Sequence, residues 1–406
     1  MKLVKLSLAA IVAAGAMTTF ASATSLEEAI KGVDVSGFAR ARFYHQSDAR
    51  YAVRGAGGLF NSVHKDDTDG DLGSQGTRIS GLLNVNVPIA DSLTFGTSLA
   101  TDGYNHPGND ASFPTGVEVD KFFFQYAADG FVLKAGKFEI PAPWTEAGFG
   151  GSRGNGVLAL YTPADLGWTF AGAYYNQVNG INDTATDYDI DFLIDGETLD
   201  SLRGQEDLFA LAAIGAVGPV NAQLWLARMT NLIDTAVFGE LSYANSGFKV
   251  RGQANYLKLD KDVAALLEFD KSGMFYGIEA GYANDDFFVN VGYTKNDKDQ
   301  PVHTLDADND GFIKFGKQLY YLSVNEVDAK VYFINAGANF GKFGVEAGYG
   351  VSKDKWNGVN WKYTELYGAL SYQIAKNFST DLYYSVLDGN NDAGNNELRL
   401  QVQYNF

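Results

Sequence analysis

The chain has 406 residues, a formal net charge of -18, 14% aromatic residues and no cysteine. An acidic chain of this kind is a poor nucleic-acid binder, because contacts to phosphate need clustered lysine and arginine, and without cysteine no disulfide framework is possible. The 46 glycines, 23 tyrosines and only 20% charged residues favour strands and tight turns over a helical fold.

Residues 1–23 are predicted to be a secretory signal peptide. Lys2 and Lys5 supply the basic start, and residues 6–16 form an apolar stretch that is too short to span a bilayer as a helix. An Ala-Ser-Ala run at the end supplies the small residues that a signal peptidase accepts. We therefore predict export through the periplasm and a single mature domain that covers residues 24–406.

After the signal peptide, short turns alternate with longer polar stretches between hairpins of roughly twenty residues. The short turns lie near residues 87–91, 127–130, 217–219, 244–246, 283–285, 340–342 and 375–377. The longer stretches lie near residues 47–73, 103–115, 139–153, 178–205, 258–272, 295–328 and 352–361, and only the connection near 229–233 is short where a long one is expected. This rhythm predicts an all-β transmembrane antiparallel barrel of about 18 strands, with 16 possible, short periplasmic turns and long extracellular loops.

The first two predicted strands carry arginines on one face. Arg40 and Arg42 are two residues apart, so their side chains share a face of the strand, and Arg78 on the second strand shares a register with Ser80. We expect this face to line the lumen, because an arginine that faces lipid at mid-depth costs about 2 to 4 kcal/mol. Together the three arginines predict a basic wall.

The third long connection carries Glu139, Glu146 and the rigid Pro-Ala-Pro-Trp run of residues 141–144. If it folds into the barrel, its carboxylates oppose the basic wall, and a transverse field across a narrow aqueous constriction orients dipolar solutes and sorts ions. Alternatively, the arginines pair with lumen acids away from any constriction. Lys137 and Arg153 flank this connection, and they either belong to the constriction or tether the loop.

An enzyme is not predicted, and no catalytic residue is assigned. Residues 150–154 fit the G-x-S-x-G pattern of a nucleophile elbow, but that motif works only on a strand-to-helix turn with a base nearby. Here no helical pattern follows, and the downstream histidine, His303, lies in a different predicted loop. All eight prolines fall in predicted turns or loops, and the apolar run of residues 208–217 is predicted to be a strand.

The longest connection contains Asp306, Asp308 and Asp310 at alternate positions, followed by a glycine and Phe312. This pattern is the first half of a calcium loop, in which the three carboxylates and the carbonyl of the phenylalanine would be ligands. The twelfth position is Lys317, where an EF-hand needs a bidentate glutamate. A calcium site and a solvated acidic turn therefore both stay open, and no cofactor is required.

The last predicted strand alternates apolar and polar residues without a break. Leu398, Leu400, Val402, Tyr404 and Phe406 share one face, and Arg399, Gln401, Gln403 and Asn405 share the other. In a soluble sandwich the apolar face would meet a core, whereas in an outer-membrane barrel it meets lipid and the polar face lines a water-filled lumen. We expect this strand to close the barrel by pairing with the first strand.

Several segments resemble the major outer membrane porins of epsilonproteobacteria such as Campylobacter. The similar segments are residues 1–8 and 26–37, the Ala135-Gly136-Lys137 run with Trp144-Thr145 and residues 154–157, and the closing Tyr404-Asn405-Phe406. The resemblance covers the frame of the chain better than its long loops. It implies an eighteen-stranded, homotrimeric general-diffusion channel of the outer membrane that is often cation-preferring.

We therefore expect an outer-membrane porin for passive diffusion of ions and small hydrophilic solutes, with a cation preference. Its partners would be outer-membrane lipid and lipopolysaccharide, further copies of the same chain, and the solutes themselves, without nucleic acid. The alternative is a surface-exposed structural or adhesin barrel in which any channel activity is incidental.

Overall fold

The computed structural model describes residues 32–46, 74–105, 116–178, 206–267, 269–305, 309–320, 322–356, 358–390 and 394–406. The predicted signal peptide lies outside these residues. Within them, eighteen strands form one antiparallel sheet in which each strand pairs with its neighbours in the chain. The strands, β1 to β18 in chain order, are Asp34–Gln46, Ser74–Ala90, Leu93–Asn105, Glu118–Ala128, Phe131–Glu139, Arg153–Tyr161, Trp168–Val178, Leu208–Val217, Val220–Met229, Ile233–Asn245, Phe248–Leu259, Ser272–Ala283, Phe287–Lys295, Lys330–Phe340, Phe343–Trp356, Val359–Ala375, Phe378–Gly389 and Gly394–Asn405.

The sheet closes on itself through β1, which pairs with both β2 and β18. Arg40 lies opposite Gln403 and Arg42 opposite Gln401 across the closing seam. The backbone of Gly37 and that of the last residue exchange two hydrogen bonds of 3.0 and 3.1 Å. Closure satisfies the backbone polar groups of every strand without leaving an edge, which a sheet in lipid requires. The predicted barrel of about 18 strands is confirmed.

The two faces of the wall differ chemically. Large apolar side chains are exposed on the outside, including Phe43 on β1, Leu366 on β16 and Leu400 on β18. Along β18 the outward set is the predicted one, whereas Arg399 turns inward and its guanidinium lies 4.5 Å from the ring centroid of Tyr383. An exposed apolar outer surface is the pattern of a barrel that meets lipid, whereas the inner face carries polar groups such as Arg399 beside a buried apolar cluster that includes Leu158 and Ile214.

The connections alternate between the two ends of the barrel. At one end they are turns of two to six residues, and these include all seven predicted short turns. At the other end the connections are longer and reach 34 residues between β13 and β14. The prediction of a long loop at residues 352–361 is wrong. There β15 extends to Trp356 and β16 begins at Val359. The two strands form one long hairpin, in which inward residues such as Asp354 alternate with outward lysines.

Pro88 also departs from the sequence prediction, because it lies inside β2 and not in a turn. It stands near the end of the strand, where the pairing with β3 shifts register between Pro88 and Ala90, so that no regular ladder bond is lost inside the sheet. In the part of the chain that the structure describes, two short helices, α1 (Lys261–Leu266) and α2 (Leu322–Asn325), occur in connections. Among the described residues, no helix has the length and apolar character needed to cross a membrane.

Candidate pore constriction

The predicted basic residues of β1 and β2 meet on the inner face of the wall. Arg42 lies directly opposite Arg78 in the register of the two strands. Arg78 forms a bidentate ion pair with Asp102 on β3, with both Nε to oxygen distances at 3.0 Å, and Arg42 Nε donates to Gln401 Oε1 at 2.5 Å. The positive charge of Arg40, Arg42 and Arg78 is therefore partly neutralised by the carboxylate of Asp102.

Arg40 marks the place where a connection reaches this wall. Its guanidinium lies 5.0 Å from the ring centroid of Phe38 on the same strand and 5.3 Å from that of Phe149. The two rings meet edge to face at 5.2 Å, and Arg40 also donates to Ser80 Oγ at 3.4 Å. Phe149 belongs to residues 140–152, which we call the constriction loop. Its tip thus docks on β1 through an aromatic and cation–π contact.

The start of the constriction loop is anchored on a different part of the wall. Trp144 is buried and its indole Nε1 donates to Asn255 Oδ1 on β11 at 2.8 Å, while its ring meets Phe238 on β10 at 6.5 Å. Thr145 Oγ1 donates to the carbonyl oxygen of Ile140 at 2.6 Å, which tightens the turn. The connection between β5 and β6 therefore extends inward to β11 on one side and to β1 on the other.

Arg153 fixes the end of the constriction loop. Its side chain is 1% exposed, and its Nε forms an ion pair with Asp120 Oδ1 on β4 at 2.9 Å. The two terminal nitrogens donate to the carbonyl oxygens of Gly151 and Gly148 at 2.9 and 2.6 Å. This geometry is that of a tether between the loop backbone and the barrel wall, one of the two roles that the sequence left open.

The remaining predicted constriction residues have different surroundings. Glu139 Oε1 accepts a hydrogen bond from the backbone N–H of Gly148 at 2.8 Å, and Glu146 is partly buried within the loop itself. Lys137, by contrast, pairs in register with Phe122, whose ring faces outward, and its Nζ donates to the carbonyl oxygen of Val119. The structure therefore places Lys137 away from the lumen.

A second connection also folds inward and packs on the constriction loop. Residues 309–320, which we call the lumen segment, belong to the connection between β13 and β14. Asp310 Oδ2 accepts a hydrogen bond from Ala147 N at 2.9 Å, and Phe312 is buried against Phe238 and Phe275 at 5.2 and 4.9 Å. Two connections together therefore narrow the lumen.

For calcium, the described residues offer only part of the predicted set. Asp306 and Asp308 lie outside them, Asp310 already accepts a hydrogen bond from the constriction loop, and the side chain of Phe312 is in an apolar cluster. Among the described residues, no group of three or more histidines, cysteines, aspartates or glutamates could hold a metal ion. The calcium site stays a prediction.

His303, which the sequence places in a different predicted loop from residues 150–154, is completely buried beside the lumen segment. Its backbone N–H donates to Asn325 Oδ1 at 2.9 Å, its carbonyl accepts from Asn255 Nδ2 at 3.3 Å, and its ring lies 6.1 Å from that of Phe275. Burial lowers the pKa of His303 to about 3, so the ring is neutral at physiological pH. Residues 150–154 lead into strand β6 and not into a helix, so the context of a nucleophile elbow is missing there.

Sequence reasoning missed the partners of the predicted residues. Asp120 and Asn255 hold the constriction loop on the wall, and Phe149 is the ring with which the loop itself contacts Arg40. Of these three residues only Asn255 had a detectable signal, because it follows Arg251 and Gln253 on the inward face of β11. Period two identifies a residue that points inward, but it does not say which distant connection reaches it.

Comparisons with known proteins agree with this architecture. The family model of the Campylobacter major outer membrane protein matches residues 1–406. Among solved structures, Pseudomonas aeruginosa OpdO is similar with a TM-score of 0.68 and 13% identity, over 93% of this chain and 97% of that chain. P. aeruginosa OccK9 (OpdG) has a TM-score of 0.70 and 12% identity, over 93% of this chain and 99% of that chain. Acinetobacter baumannii OccAB1 has a TM-score of 0.68 and 12% identity, over 92% of this chain and 96% of that chain. At such identities the likeness shows the fold alone, and no curated protein matches the sequence.

Proposed function

The chain belongs to the Campylobacter major outer membrane protein family, and on that premise we propose that it is a porin for passive diffusion of ions and small hydrophilic solutes across the outer membrane. The observation that carries the proposal is the charged inner wall around Arg42 and Arg78, faced by a connection that folds into the barrel. A barrel of eighteen strands is wide enough to hold water, and inward connections set its aperture.

We further propose that the channel prefers cations. The chain carries a formal charge of -18, and two carboxylates lie at the constriction, Glu139 at the end of β5 and Glu146 in the constriction loop. On β2, the positive charge of Arg78 is compensated by Asp102 at hydrogen-bond distance. An acidic surface and mouth raise the local concentration of cations, while the remaining arginines maintain a transverse field at the narrow point.

Planar-bilayer recording of the purified protein tests both statements. We expect stepwise conductance and, in a salt gradient, a reversal potential on the cation side that moves toward the anion side when Glu139 and Glu146 are both changed to Gln. The matched control changes Asp129 and Asp285, two carboxylates at short turns, to Asn. Absence of steps at any voltage would end the porin proposal in favour of a structural or adhesin barrel, and an unchanged reversal potential would remove the two glutamates from the constriction.

We also propose that the protein is a homotrimer embedded among lipid and lipopolysaccharide, reached by export through the periplasm. Support for a subunit contact comes from small residues on the outward face of neighbouring strands β7 and β8, such as Gly172, Ala213 and Gly215. Chemical crosslinking in native membranes should give bands up to three chains, and a ladder that stops at one chain would contradict the trimer.

Calcium binding by Asp306, Asp308 and Asp310 with the Phe312 carbonyl is likewise a proposal, supported by the sequence pattern. If calcium binds there, adding chelator should lower the thermal stability of the folded protein, and Asp308→Ala should abolish that effect. The same unfolding temperature with and without chelator, in both proteins, would eliminate the site.

A further inference from the structure

The lumen segment contacts strands that are far from the pair it connects. Its connection joins β13 to β14, but Gln318 Nε2 donates to Ser385 Oγ on β17 at 2.9 Å, and its Oε1 accepts from Asn395 Nδ2 on β18 at 3.0 Å. On the other side, the backbone N–H of Ile313 donates to Gln253 Oε1 on β11 at 2.7 Å. The segment therefore crosses the lumen from one part of the wall to another.

The strongest of these contacts is made by a carboxylate. Glu365, on the inward face of β16, is 0% exposed and accepts hydrogen bonds from the backbone N–H groups of Lys317 at 2.7 Å and Leu319 at 2.8 Å. It also accepts from the intervening Gln318 N at 3.3 Å and from Ser385 Oγ at 2.7 Å. Three successive backbone N–H groups that converge on one carboxylate form an anion-binding nest, and such charge-assisted bonds are the strong class.

The backbone before the nest is shaped to receive this carboxylate. Gly316 has a φ of 95°, in the left-handed region that favours glycine, and a Cβ at this position would overlap with the Glu365 carboxylate. Within the described part of the chain, no lysine or arginine pairs with Glu365, so the nest itself must satisfy the buried charge. A residue with a side chain at position 316 and a neutral residue at position 365 would each disturb the same contact.

The nest also fixes a cation in the lumen. The Nζ of Lys317 lies 4.7 Å from the ring centroid of Tyr367 and 3.9 Å from Glu346 Oε1, and its side chain is 26% exposed. Since the backbone N–H of the same lysine is held by Glu365, the position of the ammonium group depends on that bond. Release of the segment would move both the backbone and this charge.

We propose that Glu365 is a positioning residue that latches the lumen segment to the barrel wall, thereby setting the open cross-section and holding the Lys317 ammonium beside the solute path. The inference rests on the proposed porin function for its effect on current, although the latch itself is a contact that can be tested without current. The competing explanation is apolar packing alone, because Ile313 and Leu319 are completely buried and Phe315 stacks on Phe333 at 5.1 Å.

Two substitutions with matched controls separate these explanations. Glu365→Gln removes the charge and presents N–H groups to the nest, and Glu279→Gln is its control, because Glu279 is a lumen carboxylate that pairs with Arg251 at 3.1 Å and not with the segment. Gly316→Ala inserts a methyl group into the nest without a charge change. Gly341→Ala controls for backbone strain, since it has a φ of 62° with no atom within 4 Å of an added Cβ.

The first measurement is trypsin cleavage of the folded barrel after Lys314 and Lys317, with the exposed Lys298 as an internal standard. We expect Glu365→Gln and Gly316→Ala to cleave about tenfold faster than the wild type after Lys314 and Lys317, since strong hydrogen bonds to the backbone are lost there. Cleavage after Lys298 and cleavage of both controls should stay at the wild-type rate. If both test variants cleave at that rate too, apolar packing holds the segment and the latch is refuted.

The second measurement is the single-channel conductance, together with the unfolding temperature. A residue that only stabilises the barrel would lower the unfolding temperature of the variants without changing the conductance of the folded channels. We expect instead a larger conductance and more open-channel noise for both test variants, and unchanged current for both controls. If Glu365→Gln does not fold, Gly316→Ala against Gly341→Ala decides alone. A wild-type protein without stepwise current would refute the proposed function, while the cleavage comparison would still decide the latch.

Discussion

Arg153→Met should release the constriction loop while leaving the barrel closed. The substitution keeps an apolar stem of similar length but removes the ion pair with Asp120 at 2.9 Å and the bonds to the carbonyls of Gly148 and Gly151. Because the side chain is 1% exposed, breaking this pair falls in the range of about 3 to 5 kcal/mol for a buried ion pair that loses one partner. Even about 3 kcal/mol shifts the balance between docked and released loop by more than about 100-fold.

Hydrogen exchange read by mass spectrometry measures this shift directly. Amide protons in the peptide that covers residues 140–152, such as that of Thr145, should exchange about 100-fold faster in Arg153→Met, while strand peptides keep their protection. Arg251→Met is the matched control, because Arg251 also pairs with carboxylates on the lumen face but contacts no residue of the constriction loop. Equal exchange of the loop in wild type and Arg153→Met, or equal acceleration by Arg251→Met, would refute the assignment of Arg153 as the tether.

Three further outcomes follow from other contacts. Because the folded pKa of His303, about 3, lies below its ordinary 6.5, the released connection binds a proton that the docked one does not. Docking of this connection is fully favourable above pH 6.5 and should lose about 1.4 kcal/mol for each pH unit below it until about pH 3. Cleavage of the segment at pH 7.5 and 4.5 by a protease that is active at both pH values, normalised to its cleavage of an unfolded substrate, measures this loss, and a His303→Leu protein with the same pH response would contradict it. Phe149→Ala, which removes the ring 5.3 Å from Arg40, should weaken docking of the loop tip by about 1 kcal/mol and increase the open-channel noise in bilayer recordings. Open-channel noise equal to that of the wild type would count against the contact. Leu400→Arg on the lipid face should cost about 2 to 4 kcal/mol of unfolding free energy in lipid, whereas Ala369→Arg on the lumen face, opposite Glu346 in the register of β15 and β16, should be near neutral. Equal losses would contradict the assignment of the two faces.

The barrel could be predicted from the sequence because the pattern that indicates its strands is local and repeated. Period-two alternation places Leu400 outward and Gln401 inward without any knowledge of the rest of the chain, and short turns show where each hairpin ends. The same rule explains the failure at residues 352–361. Where inward residues such as Asp354 are polar and neighbours are lysines, a strand near the rim has the composition of a loop, and composition alone cannot separate the two.

The contacts inside the barrel were much harder to predict from the sequence, because they join residues that are far apart in the chain. Trp144 and Asn255 are 111 positions apart, and nothing near either residue indicates the other. The rigid proline run predicted an inward loop but not which strands it would reach. For Glu365, alternation would place the side chain inward, yet its partners belong to a connection between two other strands, so the nest becomes visible only in three dimensions.

The seam between β1 and β18 has a consequence for how the barrel can form. Arg42 and Gln401 are bonded across 359 positions of sequence, whereas every other strand pair joins neighbours in the chain. Local hairpins can form early, but the entropy cost of bringing the two ends of the chain together is offset only by the contacts that this last strand pair makes when it forms. Until that moment both terminal strands present unpaired backbone groups and are open to pairing with another chain. The rate of seam closure, more than the stability of any hairpin, should therefore govern the yield of assembled barrels.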